Sequence, residues 1–594
     1  MCLAPARSRG EGRRSLLGFV PWIGGVVAVL LCLPSLGAGL QTEDHLHLVM
    51  ARSTRGWVNL FGDGSDRVIP NYQAKDAGTL PWVAVSDLRV QLFRPLASLT
   101  HLVDYRLFPD RPWLMHAESL AWLAALVVAV GFLHRCTART ARGAWLATLF
   151  YAMDDARGVD VGWLANRNAL VSGAFAALAV VLHDRARARG SLREFWLSAA
   201  ALGMGLLGGE TALGGAAYLV SHALTLDRAP LRDRLRAAAP WIAVVAAWAV
   251  AYRALGFGAH GSGVYLDPLG QPAEFLHALA WRGPLLLVSA VSGLPTEVIG
   301  FGGPLAVALV AAPLVLGALA AGSAFRARPG VRFAAIGTLL AVIPASATMP
   351  SDRLLTCVGM GSAALVGALL DAVLTRAASS ARLPLAARAG ALCLALVHGV
   401  LSPLALPWRS RGLVGADRAI LEGARTAFAG ARGPGRELIL VTVPDLYASM
   451  LLLSVPAAMG ARAPGRVRVL HGGTDPVTLS RDDARTVRLR APAGFLRSPG
   501  NRLFRGKSFP IRAGDGLPLT HVFVRVTEVD RAGEPLEATF TFDRPLGDRR
   551  FVWKYWDGLG FSALRPPAVG DTLVLVPGQP VRRLAPRRLI ASSG

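Results

Sequence analysis

Three stretches of this chain carry ionisable residues beside apolar runs long enough to enter a membrane. The first is GLQTEDHLHLV (39–49), where Glu43, Asp44, His45 and His47 follow directly on such a run. The second is YAMDDARGVDVGWLANRNALV (151–171), with Asp154, Asp155, Arg157 and Asp160 in its first half and Arg167 in its second. The third is MPSDRLL (349–355), which places Arg353 at the start of another apolar run. Ionisable groups at membrane depth are costly and commonly mark a site or a pathway. A carboxylate can accept the proton of an attacking hydroxyl, and a guanidinium can grip a phosphate with two N–H donors. One pocket holding both would suit sugar transfer from a lipid phosphate. The plainer account of each stretch is acids solvated at a helix end. His45 and His47, close to Asp44, are the nearest approach to a divalent-cation site, but no third histidine completes it and a hard cation would favour the carboxylates.

These residues need a frame that crosses a bilayer. Of the 594 residues 53% are hydrophobic and 17% charged, which excludes a soluble multidomain enzyme and reads as an integral membrane protein. The formal charge of +24 is almost all arginine, since lysine occurs only at Lys75, Lys507 and Lys554. The arginines fall largely in short segments between apolar runs, where they report orientation rather than a nucleic-acid surface. No nucleic-acid partner is expected. Five cysteines without a CxxC give no disulfide or zinc framework.

A crossing takes about 20 apolar residues. Residues 16–40 supply one, behind Arg7, Arg9, Arg13 and Arg14, so Glu43 and Asp44 emerge on the outer side. A loop, 41–116, follows. Further crossings are expected at 117–134, 143–153, 163–183, 195–208, 212–226, 237–257, 303–324, 333–347, 354–374 and 389–406. Residues 274–296, broken by Arg282-Gly283-Pro284, read as an interfacial or re-entrant helix, since a full crossing would put the later arginine clusters outside. The fold class is therefore a polytopic α-helical protein of about eleven spans, residues 1–407, in a bacterial-type inner membrane with its N-terminus cytoplasmic. Trp57, Trp82, Trp113, Trp281 and Trp408 read as an interfacial aromatic belt. Past Pro407 the pattern changes to period two, as in HVFVRVTEV (521–529) and EATFTFD (537–543), while ELILVTVPD followed by LYASMLLLSV reads as strand then helix. Residues 408–594 should form an α+β, β-rich periplasmic domain.

FRPLASLTHLVDYRLFPDRPWLMH (93–116) resembles a stretch in the membrane part of the tetratricopeptide-containing O-mannosyltransferase-like proteins, which belong to the GT-C superfamily of lipid-phosphate-sugar glycosyltransferases. Arg94, Pro95, Leu96, Thr100, Asp104, Tyr105, Leu107, Phe108, Pro112 and His116 carry the match. LFYAMDDARGVDVGWLANRNALVSGAF (149–175) is similar to a second family segment through Trp163, Arg167 and Phe175; LLGGETALGGAAYLVSH (206–222) keeps Glu210; IPASATMPSDRLLTCVGMG (343–361) keeps Pro344, Arg353 and Gly361. The likeness runs in order over about residues 15 to 400. In this chain Asp154-Asp155 replaces the family's His-Pro, Arg157 its second His, and the tail has no repeats.

The resemblance implies a GT-C-like fold and, just beyond the first span, an acid that acts as the catalytic base or helps bind a metal, the place of Asp44 with Glu43 beside it. Asp154 and Asp155 join them as candidate catalytic acids. Arg353, Arg94 and Arg167 are candidates for the donor phosphate, and Asp104, His116 and Glu210 for support. The expected donor is a polyprenyl-phosphate sugar, and the acceptor a hydroxyl on protein, lipid or polysaccharide, with inversion at the anomeric carbon. No cofactor follows for certain from this reading, and a divalent cation held by Asp44 and His45 stays an open alternative. Its rivals are a noncatalytic envelope-assembly scaffold of the same fold and a lipid or solute transporter.

Overall fold

The computed structural model describes residues 11–53, 59–61, 71–320, 323–378, 385–431, 433–460 and 464–584. Trp57 lies outside them. The membrane body is built from α1 (Glu11–Cys32), α2 (Glu43–Ser53), α3 (Pro95–Leu107), α4 (Pro112–Thr137), α5 (Ala141–Met153), α6 (Ala156–Gly162), α7 (Arg167–Arg189), α8 (Leu192–Gly208), α9 (Leu213–Thr225), α10 (Leu231–Ala254), α11 (Pro272–Ser292), α12 (Gly303–Ala320), α13 (Pro329–Ala345), α14 (Leu355–Ala378), α15 (Leu385–Leu396) and α16 (Ser402–Arg409). Among the described residues seven helical stretches are long and apolar enough to cross a membrane. The other expected crossings fall on α5, α8, α9, α12 and α13, none longer than 18 residues.

Small residues let these helices approach closely, as is usual where lipid removes the hydrophobic drive for association. A side chain on Gly337 of α13 would run into Tyr218 of α9, and one on Gly214 of α9 into Cys357 of α14. Helix α7 lies at the centre, with sixteen of its residues buried. One core cluster joins α1, α4, α5, α7, α8, α9, α13 and α14.

Helix α11, the segment read as interfacial, is 21 residues long and apolar enough to cross. Its contacts nevertheless tie it along one face. Glu274 near its start accepts from Ser508 Oγ of the C-terminal domain (2.7 Å). Arg282 in its middle donates to the carbonyl of Ser346 just past α13 (3.1 Å). Thr296 just beyond its end donates to Asp352 at the head of α14 (2.7 Å). Pro284 inside α11 removes one backbone donor.

The second body begins with α17 (Val414–Phe428), then β3 (Gly433–Val443), α18 (Leu446–Ala458), β4 (Pro464–Gly472), β5 (Val477–Arg481), β6 (Thr486–Arg490), β7 (Gly516–Leu519), β8 (Val522–Val529), β9 (Pro535–Phe542), β10 (Phe551–Trp556), β11 (Phe561–Ala563), β12 (Thr572–Leu575) and β13 (Arg582–Leu584); β1 (Arg89–Gln91) and β2 (Gly258–His260) pair separately. Four strands run β11-β10-β3-β4, with β10, β3 and β4 parallel and β11 antiparallel; seven antiparallel strands run β13-β12-β5-β6-β9-β8-β7. The period-two segment 521–529 is β8, with Val522, Val524 and Val526 buried and Phe523 and Arg525 exposed. The strand-then-helix reading is β3 and α18.

Part of the loop 41–116 does not stay with the membrane body. Val83 and Ala84 are buried in the core of the C-terminal domain. Trp82, taken from the sequence as a belt residue, packs edge-on against Phe495 and Phe540 and donates to the Leu470 carbonyl (3.0 Å). Asp76 accepts from the hydroxyl of Thr520 (2.9 Å) and lies 3.5 Å from Arg468.

Candidate active site

The loop, α2 and the heads of α7 and α14 meet the C-terminal domain around one cavity of 2220 Å³. Glu43, His47, Arg94, Trp163, Tyr265 and Arg353 are among the residues lining it from the membrane body; Arg411, Arg418, Tyr447 and Trp556 line it from the other side.

Glu43 and Asp44 are neighbours on α2, so their side chains leave the helix about 100° apart, and their surroundings differ completely. Asp44 does not line the cavity. It is fully buried, and its two carboxylate oxygens accept from the backbone N–H groups of Ala165 (2.7 Å) and Gln41 (2.9 Å). Burial raises its pKa to about 7 against the pull of those two donors. Asp44 thus pins the head of α2 to the turn before α7. Glu43 lines the cavity, and one of its carboxylate oxygens, itself shielded from solvent, has no hydrogen-bond partner among the described residues. Burial raises its pKa as well, while the Thr42 hydroxyl and the charge of Arg353 pull it down. Raised carboxyl groups in clefts are the groups that serve as bases near neutral pH.

Arg353 lies with its guanidinium carbon 5.7 Å from the centre of the Trp163 ring, a cation–π distance. Among the described residues it has no salt bridge to a carboxylate, and Tyr265 and Glu43 are among the groups that act on it. Arg94 also reaches the cavity but is already held by Glu210 (2.8 Å), whose other oxygen accepts from Tyr252 (3.2 Å).

Arg167 is not at the cavity. It is fully buried, 2.6 Å from Asp104 and 2.9 Å from Glu118, and it donates to Ser119 and to the Met115 carbonyl. Two carboxylates neutralise it and its donors are taken, so of the three candidate arginines only Arg353 and Arg94 reach the cavity. Asp104 accordingly supports Arg167. His116 joins the carbonyls of Gly39 (2.9 Å) and Val161 (3.3 Å), fastening α4 to the end of the first helix and to α6.

Asp154 and Asp155 also turn away from the cavity. Asp154 caps the following turn through Ala156 N–H (3.0 Å). Asp155 accepts from Ser402 (3.0 Å) and pairs with Arg409 (2.6 Å), which pairs equally with Asp352 (2.6 Å). Asp160, buried under the same turn, holds Arg157 (2.8 Å) and accepts from Asn166 and Thr356; its pKa rises to about 6 through burial, opposed by Arg157.

His45 does not join Asp44. Its Nε2 is 3.0 Å from Asp417 of α17, and the same oxygen of Asp417 accepts from Thr42 N–H (3.1 Å). No group of three His, Cys, Asp or Glu residues able to hold a metal occurs among the described residues. His47 packs against Phe61 and His101, and burial lowers its pKa to about 3. Sequence reasoning missed Arg409, Arg411, Arg418, Asp417, Tyr265 and Trp163 as cavity or positioning residues; only the Arg-rich PWRSRG (407–412) hinted at the first two.

No family model matches this chain, and no curated protein matches it. Among solved structures it is similar to ArnT from Cupriavidus metallidurans bound to undecaprenyl phosphate, at TM-score 0.37 and 14% identity over 78% of this chain and 90% of that one. It is also similar to the Archaeoglobus fulgidus oligosaccharyltransferase tethered with an acceptor peptide, at TM-score 0.38 and 14% identity over 76% of this chain. The chain spans 64% of that second protein's length. At such scores neither likeness bears on the chemistry, which has to come from this chain's own residues.

Proposed function

We propose that this chain is a membrane glycosyltransferase that moves a sugar from a polyprenyl-phosphate donor to an acceptor hydroxyl, on the face that carries the C-terminal domain. One observation carries the reading: Glu43 and Arg353 reach one cavity from separate elements, each close enough to act on the other's charge and, among the described residues, neither in a salt bridge. The donor's lipid lies among the helices and its phosphate against Arg353. Glu43 takes the proton of the acceptor hydroxyl as that oxygen attacks the anomeric carbon. The carbon–oxygen bond to phosphate breaks on the opposite side, the configuration inverts, and the phosphate leaves with the electron pair. Arg353, aimed at the leaving group, stabilises the charge that develops there. Holding donor and acceptor in one cavity removes much of the entropic cost of their meeting.

Asp44 is a positioning residue in this scheme, since its backbone bonds fix the turn of helix from which Glu43 projects. The arginine-rich loops lie on the far face, where Arg142 meets Asp371 and Arg187 meets Asp227. By the positive-inside tendency this supports a cytoplasmic far face and a periplasmic cavity in a bacterial inner membrane.

The test is transfer by the full-length protein in nanodiscs, offered a panel of radiolabelled polyprenyl-phosphate sugars and envelope acceptors. Glu43→Gln should lower the rate at least a hundredfold while the protein remains folded and binds donor. Parent-like transfer by Glu43→Gln overturns the assignment.

A further inference from the structure

The cavity is larger than a sugar phosphate needs. Ligand sites are usually about 300–1,000 Å³, and this one encloses 2220 Å³. Glu43 and Arg353 take one wall. The facing wall belongs to the C-terminal domain, at a place where parallel sheets commonly bind ligands: the crevice beyond the carboxyl ends of neighbouring strands whose onward connections diverge. Strands β3 and β10 are parallel neighbours. From its end β3 runs into α18 toward β4 on one side, whereas β10 turns back into β11 on the other. The Trp556 N–H donates to Thr442 Oγ1 (3.0 Å) and holds the two strand ends together.

Val443, Pro444, Tyr447 and Trp556 line the cavity at this crevice. Tyr447 and Trp556 are half-buried. The Trp556 ring is set edge-on against Phe561, with centroids 5.3 Å apart and planes at 68°. Among the described residues neither the indole N–H of Trp556 nor the hydroxyl of Tyr447 makes a hydrogen bond. Aromatic faces beside donors that no described residue takes up suit a ligand that is apolar on one face and rich in hydroxyls at its edge, as a pyranose ring is. A lipid tail would cover the rings but strand both donors away from water, which costs free energy.

We infer that the crevice between the ends of β3 and β10 is a saccharide-binding subsite, which holds the glycan part of the acceptor opposite the donor end of the cavity. The inference rests on the glycosyltransferase reading only for the word acceptor; the binding itself stands apart from catalysis.

The experiment uses the full-length protein in nanodiscs on an array of neutral oligosaccharides ending in mannose, glucose, galactose or N-acetylhexosamine, followed by calorimetric titration with the strongest array ligand. The parent should bind. Tyr447→Phe, which keeps the ring and removes the hydroxyl, and Trp556→Phe, which keeps a smaller aromatic face and removes the indole N–H, should each weaken binding about tenfold with melting temperature unchanged. Each variant is also assayed for transfer, so that loss of transfer and loss of saccharide binding are read separately. An array without binding, binding indifferent to both ring variants, or a co-purified lipid shielding Trp556 from aqueous quenchers in place of a glycan overturns the subsite, whatever the transfer assay shows.

Discussion

A carboxylate's duty in this protein is decided by what already occupies its oxygens. Asp44 has two backbone donors and no opening to the cavity; Glu43 has an oxygen with no partner. Their substitutions should separate. Glu43→Gln removes the base and leaves the fold. Asp44→Asn presents an NH2 group to one of two backbone N–H donors, leaves that donor unsatisfied, and should lower stability by about 1–3 kcal/mol, read as a fall in melting temperature. Acidity follows the same division. The pKa of Asp44 is raised from its ordinary range to about 7, so the folded state favours the protonated carboxyl. The stability it contributes is whole below the ordinary aspartate value and is lost as pH rises toward and through 7. The parent's melting temperature should therefore fall between pH 5 and 8, and the fall should be shallower in Asp44→Asn. Transfer runs in the opposite direction, because Glu43 must be ionised to act and its pKa is also raised: the rate should drop as pH is lowered through that raised value.

Elements are held in register here by ion pairs that reach far along the chain. Arg409, the last residue of the last membrane helix, sits between Asp155 of the α5–α6 turn and Asp352, the residue before Arg353. Arg409→Gln would leave two carboxylates facing each other in a largely buried site. Breaking a buried pair costs about 3–5 kcal/mol. Adding Asp155→Asn removes one of the stranded charges and should recover part of the loss in a thermal-unfolding comparison of the two variants. The same bridge gives Asp155 a use: it is the counter-ion of the arginine that ends α16, where the chain leaves the membrane body for its C-terminal domain. Much of this level was legible in the sequence. Period-two alternation gave β8 and β9 because one face of each is packed and the other wet, and an apolar run gave most of the membrane helices because each must be long and dry. The pairings were not legible. Asp417 approaches His45 across 372 residues, and nothing in either local pattern names the other. Which of Glu43 and Asp44 faces the cavity depends on helix phase, and that is set by Ala165, a residue with no side-chain chemistry at all. Arg167 looked like a phosphate ligand because its two counter-ions come from α3 and α4.

Taken whole, the molecule is two bodies that share one cavity and do not separate cleanly at residue 407. The C-terminal domain reaches into the membrane body through Asp417, which accepts from Thr42 at the head of α2, and through the linker, where Gln41 donates to the Arg411 carbonyl (2.9 Å) and Gly412, at φ +64, lies against Gly162 with no room for a Cβ on either residue. The membrane body's loop reaches the other way, burying Trp82, Val83 and Ala84 in the domain's core. Removing residues 414–594 should therefore do more than delete the facing wall of the cavity. It strips the head of α2 of Asp417 and turns the apolar segment 80–85 into water, while the helix core around α7 keeps its own contacts. The expected result is a truncated protein that still inserts and shows helical circular dichroism, gains a new protease-sensitive site between residues 71 and 92, and transfers no sugar. Adding the domain back in trans should restore protection of that segment, because its binding surface on the loop is the same buried core. A truncated protein with parent-like transfer would mean that α2 holds Glu43 in place without help from across the cavity, and the shared-cavity account would fail with it.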